Sequence, residues 1–220
     1  GHQPSVTSLF IVLQYLSLVA LTWRLGSRLF GPWAGGFGAA CLVSSRLLFR
    51  AVATGHETGL TTLSLVGCLY FLVVARDTPR NWRPVLLAAL AASVAPNSRE
   101  YALAFLPLGA LAAWGLALPK RCITGFLVVS TALAAPWYLR NWLRTGNPLF
   151  DNPIGGFFPG NPVHLALLHT YAHTWRQQAA EGGLVARYAL ELLAVAPLQL
   201  AGLGAGLLNL RRTWYLLVPA

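Results

Sequence analysis

Three features of this sequence predict an all-α, membrane-embedded chain, a polytopic transmembrane helix bundle of about seven spans plus the start of another. Of the 220 residues, 56% are hydrophobic and only 10% charged. A soluble globular chain carries about 25% charged residues, so too little charge is present to cover a water-facing surface. The second feature is a series of long apolar runs, and the third is the alternation of charge between the segments joining them. Mean hydropathy is +0.57. High apolar content excludes disorder, and three cysteines are too few for a disulfide scaffold.

The runs are, in order, Val6–Trp23, Pro32–Phe49, Thr58–Ala75, Pro84–Ala95, Tyr101–Leu118, Ile123–Leu139 and Leu184–Leu208. Crossing the hydrocarbon core takes about 20 apolar residues in a helix, and most of the runs come close. Pro84–Ala95 is short and calls for tilt, re-entry or shelter by neighbours. Cys41, Cys68 and Cys122 lie apart in or beside these runs without metal-ligand spacing, and are expected to pack as small apolar residues.

A net charge of +10 would suggest nucleic acid in a soluble protein, but the basic residues are dispersed over connections. One alternate set holds Arg24, Arg28, Arg76, Arg80, Arg83, Lys120, Arg121, Arg211 and Arg212 against the single acid Asp77. The other holds Arg46, Arg50, Arg99, Arg140, Arg144, Arg176 and Arg187 with Glu57, Glu100, Asp151, Glu181 and Glu191, together with all the histidines. Short Arg/Lys-rich loops face the cytoplasm, so the first set is read as inside and the second as outside. No nucleic-acid partner is expected; the bilayer is. Trp23, Trp33, Trp82, Trp114, Trp137 and Trp142 sit near run ends, as an aromatic belt requires.

One outer connection, residues 140–183, is unlike the rest. It opens Gly/Pro-rich from Thr145 to Pro162, which is too punctuated for a helix. From Val163 to Ala180, Leu168, Tyr171, Ala172, Trp175 and Ala179 recur at helical spacing, with His169, His173, Arg176 and Gln177 opposite. That pattern predicts a helix lying in the membrane interface with its imidazoles in water. His169 and His173 lack the intervening Glu of the zincin motif, and neither a metal nor another cofactor is expected.

Ionisable groups at a membrane margin are costly and become site candidates by default. They cluster at Gly55-His56-Glu57, at Asn97-Ser-Arg99-Glu100-Tyr101 and at Pro136-Trp-Tyr-Leu-Arg140-Asn141-Trp-Leu-Arg144-Thr-Gly-Asn-Pro148. Arg99 and Glu100 form either a local ion pair that neutralises itself, or an arginine fork for a phosphate with Glu orienting it or a sugar hydroxyl.

The stretch Ala135-Pro-Trp-Tyr-Leu-Arg-Asn-Trp-Leu-Arg-Thr-Gly-Asn-Pro-Leu-Phe resembles one in polytopic bacterial glycosyltransferases of the GT-C class. These are relatives of dolichyl-phosphate-mannose–protein mannosyltransferases, in the glycosyltransferase family 39 and RgtA/B/C/D-like group. Asn97-Ser-Arg-Glu-Tyr-Ala-Leu-Ala-Phe-Leu-Pro-Leu is similar to their Thr-Arg-Glu segment at the start of a span, and the order of the stretches matches. The resemblance implies transfer of a sugar from a polyprenyl-phosphate donor to a lipid, glycan or protein acceptor at the outer face of the plasma membrane, by a multi-pass protein. Independently of the resemblance, a lipid-linked donor phosphate needs cations at the membrane margin, and Arg99, Arg140 and Arg144 are the available ones at predicted outer margins. With Glu57 and Glu100 in support roles, and His56 and Asn141 beside them in their clusters, they make the expected substrate-binding set. The resemblance also implies a catalytic acid after a first span, and Val6–Trp23 looks like the second. Residues 1–220 are accordingly read as part of one transmembrane domain, an internal piece with the acid upstream of Gly1, expected to be inactive alone. The alternatives are a transporter or flippase for a lipid-linked or anionic solute, which would use the same outer arginines, and a non-catalytic membrane subunit.

Overall fold

A computed structural model of the chain describes residues 4–53, 57–150, 157–158 and 160–180. The described residues are helices joined by turns, without a strand among them. They fall into two compact units, one within Gly1–Ala134 and one within Ala135–Ala194.

In the first unit, α1 (Pro4–Phe30) ends where the chain needs a left-handed residue: Gly31 has φ 95°. Pro32 follows at the first position of α2 (Pro32–Ser44), where its missing N–H costs nothing. The two helices fold back on each other through glycines. A methyl group on Gly35 would overlap Ser27 Oγ and the Trp23 carbonyl and lie 2.8 Å from Ser27 N, and one on Gly26 would lie 2.9 Å from Gly35 Cα.

The predicted run Pro32–Phe49 is interrupted. α2 stops at Ser44 and α3 (Arg46–Ala53) starts a new helix. Ser45 does both jobs: extended at ψ 99°, it ends α2, and its Oγ accepts from Leu48 N at 3.3 Å to start α3. Ser44 Oγ donates to the Cys41 carbonyl at 2.9 Å and closes the last turn of α2. The apolar run is continuous, but the backbone is not.

α4 (Glu57–Asp77) is the centre of the unit. It buries Gly59, Thr61, Ser64, Gly67, Cys68, Leu69, Leu72, Val73 and Ala75, many of them small. Small residues let helices approach closely in an apolar solvent, where packing rather than water drives association. The buried Ala88, Ala89, Ala92 and Ser93 of α5 (Arg83–Ser98) come against it, and α1 packs on the same helix. The hydroxyls of Thr61, Thr62 and Ser64 donate to carbonyls four residues back, so polar atoms in this apolar helix are satisfied locally.

α5 runs beyond the predicted Pro84–Ala95 at both ends. Asn81 Oδ1 accepts from Arg83 N at 3.0 Å at its start, and Pro96 sits within its final turn. The predicted Tyr101–Leu118 becomes a 3-10 turn, Glu100–Ala104, and then α6 (Phe105–Gly115). α6 is closed by Ala117 at φ 57°, with Leu118 N donating to the Ala113 carbonyl at 3.0 Å. α7 (Lys120–Thr145) buries Phe126 completely, against the bare Cα of Gly109.

Among the described residues, three helices are long and apolar enough to cross a membrane: Thr7–Phe30, Glu57–Asp77 and Lys120–Thr145. They correspond to the first, third and sixth predicted runs. The second, fourth and fifth form the shorter helices above, and Leu184–Leu208 lies outside the described residues. Charge parity can be checked inside the first unit. Arg28 and Asp77, both in the basic set, are paired at 3.0 Å; Arg99 and Glu57, both in the other set, are paired at 2.6 Å. The two pairs sit at opposite ends of α4, about 30 Å apart at 1.5 Å per residue. That is the thickness of a hydrocarbon core.

The second unit holds the end of α7 and α8 (Pro162–Ala180). α8 coincides with the predicted Val163–Ala180, started by Asn161 Oδ1 accepting from Val163 N at 3.0 Å. His169 and His173 are exposed, and so are Leu167, Leu168 and Tyr171.

Candidate functional site

Antiparallel α4 and α5 bring the beginning of one beside the end of the other. Glu57 stands in the first turn of α4 and Arg99 is the residue that ends α5. Each charge suits its helix terminus, the anion by exposed N–H groups and the cation by exposed carbonyls. Arg99 Nη2 reaches Glu57 Oε1 at 2.6 Å, with the arginine side chain 33% exposed and the glutamate 42%. The Arg99 Nε is buried and has no hydrogen-bond partner among the described residues.

Of the two readings of Arg99 and Glu100, the backbone excludes the local ion pair. Arg99 is extended at φ −147°, ψ 133°, and Glu100 begins the 3-10 turn. Neighbours in extended chain point to opposite sides, so Arg99 turns back to Glu57 of α4. Glu100 is half-buried and makes no ion pair or hydrogen bond with the described residues. Asn97 Nδ2 donates to the Ser93 carbonyl and Ser98 Oγ to that of Val94, which fixes the approach to Arg99. His56 lies outside the described residues.

Arg140, Asn141 and Arg144 belong to the second unit. The Arg140 guanidinium lies over the Trp137 ring at 5.0 Å, and Arg144 is exposed in the last turn of α7. Asn141 is buried, its Nδ2 directed at the Pro148 carbonyl at 3.5 Å. The Thr-Gly-Asn-Pro segment is a locked turn. Thr145 Oγ1 donates to the Asn141 carbonyl at 2.8 Å, Gly146 takes φ 71°, and Asn147 Oδ1 accepts from Leu149 N at 2.8 Å. Arg140 and Arg144 therefore leave a helix end whose following turn is fixed by their own motif.

One residue that sequence reasoning passed over is Gln14. Its side chain is buried, its Nε2 has no hydrogen-bond partner among the described residues, and it packs against Gly59, two residues after Glu57. The available signal was a lone amide inside the apolar run Val6–Trp23, which is costly unless used.

Among the described residues, apolar helices of membrane-spanning length define a membrane protein. The description "Dolichyl-phosphate-mannose-protein mannosyltransferase" belongs to the family model that matches residues 1–139. The chain is a member of that family, one of membrane glycosyltransferases that use polyprenyl-phosphate sugar donors. Glu57, Arg99 and Glu100 fall inside the match, while Arg140, Asn141, Arg144 and α8 fall beyond it. Neither the curated proteins nor the solved structures gave a match.

Proposed function

We propose that the chain transfers a hexose or pentose from a polyprenyl-phosphate donor to a lipid, glycan or protein acceptor at the outer face of the plasma membrane, with Arg99 gripping the donor phosphate. The observation that carries this is the Arg99–Glu57 pair at the end of α4, with the Arg99 Nε buried and without a partner among the described residues. A guanidinium presents five N–H donors in a rigid fork. Glu57 takes one of them and fixes the plane, leaving others for phosphate oxygens. Glu57 is thus a positioning residue. Glu100, next in the chain but directed away from Arg99, serves a sugar hydroxyl, and His56 adjoins Glu57 in the sequence. In the second unit, taken by itself, Arg140 and Arg144 are cations at the end of α7 whose chemistry also suits a phosphate, and Asn141 holds the turn that follows them.

A lipid-linked donor is reached from the bilayer, so its phosphate needs cations at the margin and not in bulk water. When the glycosidic bond to phosphate breaks, the departing phosphate gains charge, and an arginine fork stabilises that charge more than the ground state. The acceptor hydroxyl must lose a proton in the same step.

Incubating the full-length protein in liposomes with radiolabelled polyprenyl-phosphate hexose and membrane acceptors should move label out of the donor. Label that crosses the bilayer while still attached to the donor would make the chain a flippase. The sidedness has its own test. Cysteines introduced at Arg80 and Asn161 are expected to react with impermeant reagents from opposite faces; the native Cys41, Cys68 and Cys122 are buried and contribute little background. Labelling of both from one face would discard the topology.

A further inference from the structure

The end of α4 remote from Glu57 carries a second polar cluster that the proposed reaction does not use. Asp77 is shared by two guanidiniums, Arg28 Nη1 on Oδ2 at 3.0 Å and Arg76 Nε on Oδ1 at 3.0 Å. One carboxylate between two arginines leaves the neighbourhood positive. Beside it lies an open groove of about 470 Å³ lined by Trp23, Arg24, Ser27 and Arg28 of α1 and Tyr70 of α4. The Arg28 guanidinium stands 5.7 Å from the centre of the Tyr70 ring. Arg24 is exposed and makes no ion pair or hydrogen bond with the described residues.

The groove also has an apolar approach. Leu9, Leu16 and Trp23 recur every seven residues on one face of α1, and they are 59%, 58% and 51% exposed. Val12 and Leu13 add to the same face. α1 is a membrane-length helix, so this face meets acyl chains, and it leads directly to the two arginines. Trp23 sits where ring and N–H can divide between hydrocarbon and headgroup.

We propose that this groove binds the headgroup of an anionic phospholipid, its phosphate held by Arg24 and Arg28 and its acyl chains lying along Leu16 and Leu9 of α1. A planar guanidinium fork suits a phosphodiester, and the excess positive charge selects an anionic lipid over a zwitterionic one. The apolar face favours a lipid over a soluble phosphate, which would have nothing to place against Leu16. The site is separate from the Arg99–Glu57 end by the length of α4, and holds whatever the donor chemistry proves to be.

The test is native mass spectrometry of the full-length protein in mild detergent, titrated separately with dioleoylphosphatidylglycerol and dioleoylphosphatidylcholine. The wild type should retain the anionic lipid preferentially. Arg24→Gln should weaken that retention about tenfold, the loss of a charge-assisted contact. Arg24→Lys should lose less, because the charge remains. Arg80→Gln, in the connection after α4 and outside the groove, should change retention by less than about twofold. Equal retention of the two lipids, or equal losses in the Arg24→Gln and Arg80→Gln proteins, overturns the proposal. So does displacement of the lipid by excess inorganic phosphate, which would assign the groove to a soluble anion. An unchanged thermal transition in the Arg24→Gln protein identifies its loss of lipid as local, and a collapsed one transfers the decision to Arg24→Lys, whose failure to retain lipid at all would also overturn the site.

Discussion

Gly35→Ala should destabilise the folded protein in detergent, while Gly36→Ala, one residue further along α2, should stabilise it. The helix propensities are the same at both sites: alanine gains roughly 0.5–1 kcal/mol over glycine inside a helix. What differs is the surroundings. A methyl group at Gly36 meets nothing within 4 Å, so the propensity gain is realised. At Gly35 the added carbon would run into the Trp23 carbonyl and lie 2.8 Å from Ser27 N, and these are backbone atoms of α1 that cannot rotate away. The helices must separate, and overpacking of this kind typically costs about 1–3 kcal/mol, more than the gain. Thermal unfolding of the two variants beside the wild type measures both signs in one experiment. A stable Gly35→Ala protein would mean that the α1–α2 hairpin is not packed through its glycines.

Arg99→Ala should weaken donor binding by about one to two powers of ten, since hydrogen bonds to a charged group contribute roughly 1.5–3 kcal/mol each. Arg50→Ala should have a smaller effect: Arg50 is exposed on α3. Arg99→Lys should recover only part of the loss, because a point charge cannot hold Glu57 and a phosphate in one plane. Equilibrium binding of a fluorescent polyprenyl-phosphate sugar to each full-length variant gives the comparison. Equal effects of the two alanine changes would remove Arg99 from the phosphate site.

Apolar run length was a good guide where one helix fills the run, as in α1, α4 and α7. It failed at Ser45, because averaging hydropathy over many residues cannot register a single side chain that ends one helix and starts the next. Charge parity did more than indicate sidedness. It grouped Arg28 with Asp77 and Glu57 with Arg99 before any contact was known, and the fold pairs both couples. The specific partner was harder to read. Adjacency favoured Glu100, and only the extended backbone at Arg99 turns the guanidinium to Glu57. α8 was legible because its apolar residues keep helical spacing after a Gly/Pro-rich stretch; the cap by Asn161 was not read from the sequence. Gln14 was hidden by the strength of the apolar signal around it.

The break at Ser45 reaches beyond the helices it separates. α2 has 13 residues and rises about 20 Å, whereas α4 beside α1 covers the full thickness of the hydrocarbon. The apolar belt of the first unit is therefore uneven in height. Lipids beside a short stretch respond by thinning, at a cost of fractions of a kcal/mol per Å of mismatch. Thinning of that kind beside α2 would lower the headgroup plane towards Ser45 and Arg46. On the proposed reading of Arg99, a lipid-borne phosphate starting from a lowered surface would have a shorter path to that arginine than one starting from a flat bilayer.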